Sequence, residues 1–105
     1  MQLTILTEAG QGLGLGHWMR MRALAATAQQ QGHDVQLYLE YRGPAPTDLS
    51  PHEKLAPWWQ GPFPVNTDLL LVDSYQVSPA VLTAWKTQAP LALMDDQGRT
   101  HLSAN

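Results

Sequence analysis

The stretch Gln2–His17, QLTILTEAGQGLGLGH, sets a short apolar run against a segment with glycine at every second position. Gln2–Thr7 is β-branched, apolar and bounded by the glycines, so it reads as a buried first strand. Gly10, Gly12, Gly14 and Gly16 cannot continue a regular element; their use lies in backbone freedom or in close approach of another group to the main chain. From Gly16 or His17 to Gln31 the period becomes helical. Met21, Leu24, Ala25 and Ala28 fall at i, i+3, i+4 and i+7, and Gly32 stands where a helix ends. A strand, a glycine turn and a helix in that order open an α/β domain.

The rest of the chain repeats the alternation. Asp34–Tyr41 alternates Val35, Leu37 and Leu39 with polar residues, which predicts a second strand toward the sheet edge. Residues 43–66 hold six of the eight prolines and the adjacent Trp58 and Trp59. This excursion excludes a long helix and allows one short turn-rich helix from near Ser50 to Trp59. Asp68–Asp73 reads as the central strand. Ser78 caps a helix with Pro79 at its first position, and Leu91–Met94 forms a last strand. The expectation is a single Rossmann-like domain over residues 1–105, a parallel sheet of about four strands with flanking helices. Its functional groups belong past the carboxyl ends of the strands, where Glu8–His17, Asp73–Gln76 and Asp95–Gly98 fall.

Composition narrows the function classes. The 105 residues carry six Lys and Arg against nine Asp and Glu, a formal charge of −3 without a basic run, which argues against nucleic-acid binding. Without cysteine there is no disulfide framework, thiolate nucleophile or cysteine-based metal site, a composition compatible with a cytoplasmic protein. The first strand begins at the second residue, so neither a signal peptide nor a membrane span is expected.

The glycine turn fits an anion cradle, because free backbone N–H groups and the helix dipole favour negative charge. It departs from the dinucleotide fingerprint: after Gly10 and Gly12 the third glycine would fall at Leu15. Glu40, at the end of the second strand, is the residue a dinucleotide ribose would require. No Gly-Lys-Ser or Gly-Lys-Thr occurs, which excludes a P-loop. His17 lies in the first helical turn, where the dipole disfavours imidazolium, and an uncharged imidazole over a strand-end crevice suits a general base; packing beside the turn is the alternative. Arg20, one turn on, meets an anion or pairs with Glu8, Asp73 or Asp95, whereas Arg22 points elsewhere, into solvent. Asp95 and Asp96 diverge in an extended strand end, and His33, His52 and His101 lack metal-ligand spacing, so no metal site is expected. Ser74 has no G-x-S-x-G around it and is no hydrolase nucleophile. Trp58 and Trp59 pack, dock or stack on a sugar ring.

Three blocks, TEAGQGLGLGHWMR (7–20), LLLVDSY (69–75) and ALMDDQGRTHLSAN (92–105), together resemble the N-terminal half of the UDP-sugar hydrolases of pseudaminic acid biosynthesis. More widely they resemble the spore-coat-polysaccharide type proteins of the two-domain glycosyltransferase B fold. The resemblance implies a UDP-linked deoxy-diacetamido sugar as substrate, no cofactor, His17 as the base that activates water and Tyr75 beside it. Glu8, Gly14, Gly16, Arg20, Asp73, Asp95, Asp96 and Asn105 match the motif positions and are the implied substrate-binding set, with Glu8 where many relatives have aspartate. It further implies a C-terminal nucleotide-binding domain, absent from this chain, so the domain alone is expected to turn over little; a homodimer is a possible partner arrangement. A non-catalytic binding module of the same fold and a dinucleotide-dependent redox domain remain the alternatives.

Overall fold

The fold grows from β1 (Gln2–Gly10), whose residues Leu3 to Ala9 are all buried in a computed structural model that describes residues 1–94. A strand enclosed on both faces and both edges must be central, and β1 pairs in parallel with β2 (Asp34–Arg42) on one side and β4 (Leu69–Asp73) on the other. The chain runs on from β1 through α1 (Gly16–Gln30) to β2, then β3 (Glu53–Leu55), a 3₁₀ turn at Trp58–Gln60, β4, α2 (Pro79–Trp85) and β5 (Leu91–Leu93). The sheet order is β3-β2-β1-β4-β5 and every pairing is parallel. This is a small α/β domain of generic Rossmann-like topology.

Period-two alternation divides the core. Leu3, Ile5 and Ala9 of β1 join Val35, Leu37 and Leu39 of β2 against Trp18, Met21 and Ala25 of α1. On the other face Leu6, Leu70, Val72, Leu91 and Leu93 close over Trp58 and Trp85. Ser78 caps α2 as its sequence promised, its hydroxyl accepting from the Val81 N–H at 3.2 Å with Pro79 in the first turn. Gly32 takes φ +90° just past α1, as a helix-ending glycine should. Among the described residues no helix is long and apolar enough to cross a membrane.

Four expectations are corrected. The sheet has five strands because the excursion itself contributes β3, which pairs Glu53 with Leu37 and Leu55 with Leu39. That strand covers β2, so β2 is interior and β3 forms the edge. The short helix expected from near Ser50 to Trp59 is replaced by β3 and a 3₁₀ turn. Arg22, expected in solvent, is the fourth correction, and its contacts account for the other three. Its guanidinium donates from Nε and Nη2 to the buried Glu53 carboxylate at 2.8 Å each, and it lies over the Trp18 ring at 4.2 Å. Trp18 Nε1–H and the Ser50 N–H donate to the same carboxylate at 2.9 and 2.8 Å. The excursion is thereby tied to α1 at Glu53. It is tied again to the opposite face by the fully buried Trp58, whose Nε1–H donates to the Thr7 carbonyl at 2.8 Å and whose own carbonyl accepts from Trp85 Nε1–H at 3.1 Å.

The turn after β1 depends on one glycine. Gly10 holds φ +117°, and a Cβ there would lie 2.2 Å from the Arg42 carbonyl oxygen and 2.7 Å from its nitrogen. Gly14, at φ +73°, faces open space. Replacing Gly10 by Ala therefore adds backbone collision to conformational strain and should cost about 3 kcal/mol or prevent folding. Gly14→Ala should cost only about 1 kcal/mol, from strain alone. Urea unfolding of the two variants checks the order, and equal losses would refute the close approach at Gly10.

Glu53 supplies an acid-sensitive clasp. Burial pushes its carboxyl up, but the bonds from Arg22, Ser50 and Trp18 and the Arg22 charge outweigh that and lower it from 4.5 to about 2. A depressed folded-state value means the stabilisation is fully present above pH 4.5 and is lost as pH falls through about 2. Glu53→Gln should lower stability near neutrality by about 2 kcal/mol. It should also flatten the decline in stability across that acid window in a pH series of denaturant melts.

Candidate functional site

The parallel sheet gathers its strand ends on one edge, and the sequence places polar residues there in register. Thr7 of β1 stands beside Asp73 of β4, with Glu8 next along the chain. All three are buried, at 0%, 0% and 1% exposure, inside a sheet whose other core positions are mainly apolar. Buried polar groups at strand ends require partners. The Thr7 hydroxyl donates to the Asp73 carbonyl at 3.0 Å, which locks the two strand ends together. The Glu8 carboxylate receives the Ser74 hydroxyl and, at 3.0 Å, the Tyr75 N–H. Ser74 Oγ in turn accepts from the Gln76 and Val77 N–H groups at 3.1 Å, so Glu8 and Ser74 together fold the loop that leaves β4.

The glycine turn delivers α1 to this edge. Gly10 and Gly14 exchange backbone hydrogen bonds at 3.0 and 2.9 Å, closing the turn so that the helix begins at Gly16. His17 then comes over the end of β4 and Arg20 follows one turn later. Arg20 donates from Nε to Asp73 Oδ2 at 2.9 Å and from Nη2 to Oδ1 at 2.8 Å, a bidentate fork on a fully buried carboxylate. His17 Nδ1 lies 2.7 Å from Asp73 Oδ1. A carboxylate gripped by a guanidinium can only accept, so Nδ1 carries a hydrogen, and in the uncharged ring Nε2 is the lone-pair nitrogen. Nε2 lies 3.9 Å from Glu8 Oε2, too far for a direct hydrogen bond. Tyr75 meets the imidazole edge to face, with ring centroids 4.3 Å apart, and fixes its plane.

The structure thus brings together Glu8, His17, Arg20, Asp73 and Tyr75. Asp73 and Glu8, read from the sequence as substrate-binding, both engage protein partners: Asp73 accepts from Arg20 and lies against His17, and Glu8 accepts from Ser74 and Tyr75. Gly14 and Gly16 are exposed on the rim, with nothing within 4 Å of where their side chains would begin. Leu15, at the N-cap of α1, offers no side-chain hydrogen bond, and the first turn holds no acidic residue. Asp95, Asp96 and Asn105 lie outside the described residues. Glu40 accepts the Trp59 N–H at 3.0 Å on one carboxylate oxygen. Among the described residues no group of three or more His, Asp or Glu is placed to hold a metal ion. A cavity of about 460 Å³, lined by Gln2, His33, Asp34, Gln36 and His52 among others, opens at the opposite, amino end of β1 and β2, away from His17.

Sequence reasoning missed Ser74 as a structural partner, the Thr7 bond and the Glu53 clasp. Ser74 follows Asp73 directly and carries a local cue, a hydroxyl two and three residues before the amides it accepts from. Arg22 and Glu53 stand 31 residues apart and carry none.

No family model matches the chain, and neither a curated protein nor a solved structure matches it.

The position of the hydrogen on the His17 ring is directly measurable. Long-range ¹H–¹⁵N correlation, at a pH where the ring is uncharged, should show His17 protonated on Nδ1 in the native chain. Asp73→Asn should shift the population toward protonation on Nε2, as replacing a carboxylate by an amide removes the acceptor that selects the tautomer. An unchanged pattern would rule Asp73 out as its determinant.

Proposed function

We propose that this chain is the sugar-facing domain of a nucleotide-sugar hydrolase, or of a closely related transferase, of the two-domain glycosyltransferase B type. His17 is its general base. The observation that carries the reading is the asymmetry of the His17 ring: Nδ1 is fixed by the buried Asp73 while Nε2 makes no direct hydrogen bond to a described residue.

In this reading Nε2 takes a proton from a water shared with Glu8 Oε2, and the water oxygen attacks C1 of the sugar as the bond from C1 to the diphosphate oxygen breaks. The bonding pair leaves with UDP, the free sugar keeps the new hydroxyl, and the proton rests on His17 until it passes to solvent. Asp73 stabilises the imidazolium formed. Negative charge growing on UDP falls to the open amino end of α1 and, in larger part, to a second nucleotide-binding lobe. In the transferase variant an acceptor hydroxyl replaces the water. Leu15 and Met19, 49% and 43% exposed beside the glycine rim, suit contact with such a lobe. They equally favour the second reading, a protein-docking module of the same fold.

The deciding measurement is UDP release from UDP-linked deoxy-diacetamido sugars, by the chain alone and co-expressed with the coding sequence downstream of it. Release is expected in the combined sample. It should fall by about 10²- to 10⁴-fold in His17→Ala and by a comparable factor in Asp73→Asn. No release from folded protein in either sample would overturn the hydrolase reading and favour the docking module.

A further inference from the structure

The carboxyl edge of the sheet carries a second charged corner, on the other side of β1 from Asp73. Arg42 ends β2 in register with Gly10, whereas Asp73 ends β4, so the two corners lie two strand spacings apart, about 10 Å across the sheet. The Arg42 guanidinium lies over the Trp59 ring, 5.5 Å from its centroid, which orients a side chain that is otherwise exposed. It also borders the glycine turn: a Cβ at Gly12 would come 3.7 Å from its Nη1.

Charge pairing sets this arginine apart. Arg20 and Arg22 each grip a buried carboxylate. Arg42 has no carboxylate partner among the described residues, although Glu40 stands two residues before it and engages the Trp59 N–H instead. Two further donors at the same corner lack acceptors among the described residues. The exposed Gly12 N–H makes no hydrogen bond, and the enclosed Trp59 Nε1–H has none. In a chain of net charge −3, an oriented, unpaired guanidinium beside an unused main-chain N–H is a place for an external anion.

We infer that Arg42 and the Gly12 amide form an oxyanion subsite, one that takes a carboxylate or a phosphate monoester on a ligand lying along the carboxyl edge. The planar fork accepts two oxygens of either group, and the amide supplies a third donor. The subsite is separate from the amino end of α1 and does not rest on the reading of His17 as a base.

The test is an NMR titration of ¹⁵N-labelled chain with inorganic phosphate and with acetate, at ionic strength held constant with chloride. The expected result is a saturable shift of the Gly12 amide and the Arg42 Nε–H, weakened about tenfold or more in Arg42→Gln. That variant alters an exposed residue and should melt with the native chain. Stronger response to phosphate assigns a phosphate monoester, and stronger response to acetate assigns a carboxylate. Shifts that chloride reproduces, or no saturable shift up to about 100 mM of either anion, would overturn the subsite. Saturable shifts confined to the Gly16, His17 and Trp18 amides and unchanged in Arg42→Gln would overturn it equally. Because the readout is binding, its failure is distinct from a failure to release UDP.

Discussion

The carboxylate of Asp73 is the point on which this structure turns. It is fully buried at the end of the strand beside the central one, where an ion without compensation would cost several kcal/mol in desolvation. Compensation comes from a single helix: Arg20 supplies two N–H donors and His17 one. The requirement works in both directions. The buried charge fixes how α1 meets the sheet, and the helix so placed has its first turn over the strand ends, where the sheet gathers the polar groups. Removing either partner would leave charge enclosed without its counterpart, the situation in which buried pairs are most costly.

A second buried carboxylate completes the docking of α1. Arg20 and Arg22 are two residues apart, so at 100° per residue their side chains leave the helix about 200° apart. Arg20 reaches β4 and Arg22 reaches Glu53 on β3, and the helix is held from both sides of β1. That is why the proline-rich excursion is ordered. Prolines deny it helix and most ladder bonds, and the clasp at Glu53 and the buried indole of Trp58 replace them with side-chain bonds. The excursion belongs to the core on one face and to the edge of the sheet on the other.

These contacts also mark what could be read in advance. Elements whose signal is local were legible: the glycine turn, the period of Met21, Leu24, Ala25 and Ala28, the Ser78-Pro79 cap and the continuous apolar run before Asp73. The convergence of Glu8, His17 and Asp73 was legible too, because parallel strands put their carboxyl ends on one edge whatever the side chains. Glu53–Leu55 was not. Three residues, two of them charged, show no alternation, and that segment becomes a strand only because Glu53 is drawn to Arg22 and Trp18 across a separation no pattern reveals. The same long-range pairing placed Arg22 against the protein when its helical position alone pointed to solvent. The division of labour inside the site was equally hidden. Sequence placed Asp73 and Glu8 together at the site, and only distances show which protein groups each of them holds.

That occupation bears on what His17 is for. A histidine serving only to fill space beside a turn can be satisfied on either nitrogen, and it gains little from a buried ionic partner that costs desolvation to install. Here that cost is offset by a guanidinium that grips the carboxylate, while a strand-to-strand bond from Thr7 to the Asp73 carbonyl fixes the residue carrying it. The product of this arrangement is one ring held in one orientation, braced by the edge contact with Tyr75, with Nε2 turned toward a second carboxylate 3.9 Å away. Stability alone would be served as well by apolar side chains in place of Asp73, Arg20 and His17. Orientation of a proton acceptor would not, and that difference is the physical ground for the proposal that His17 acts as a base.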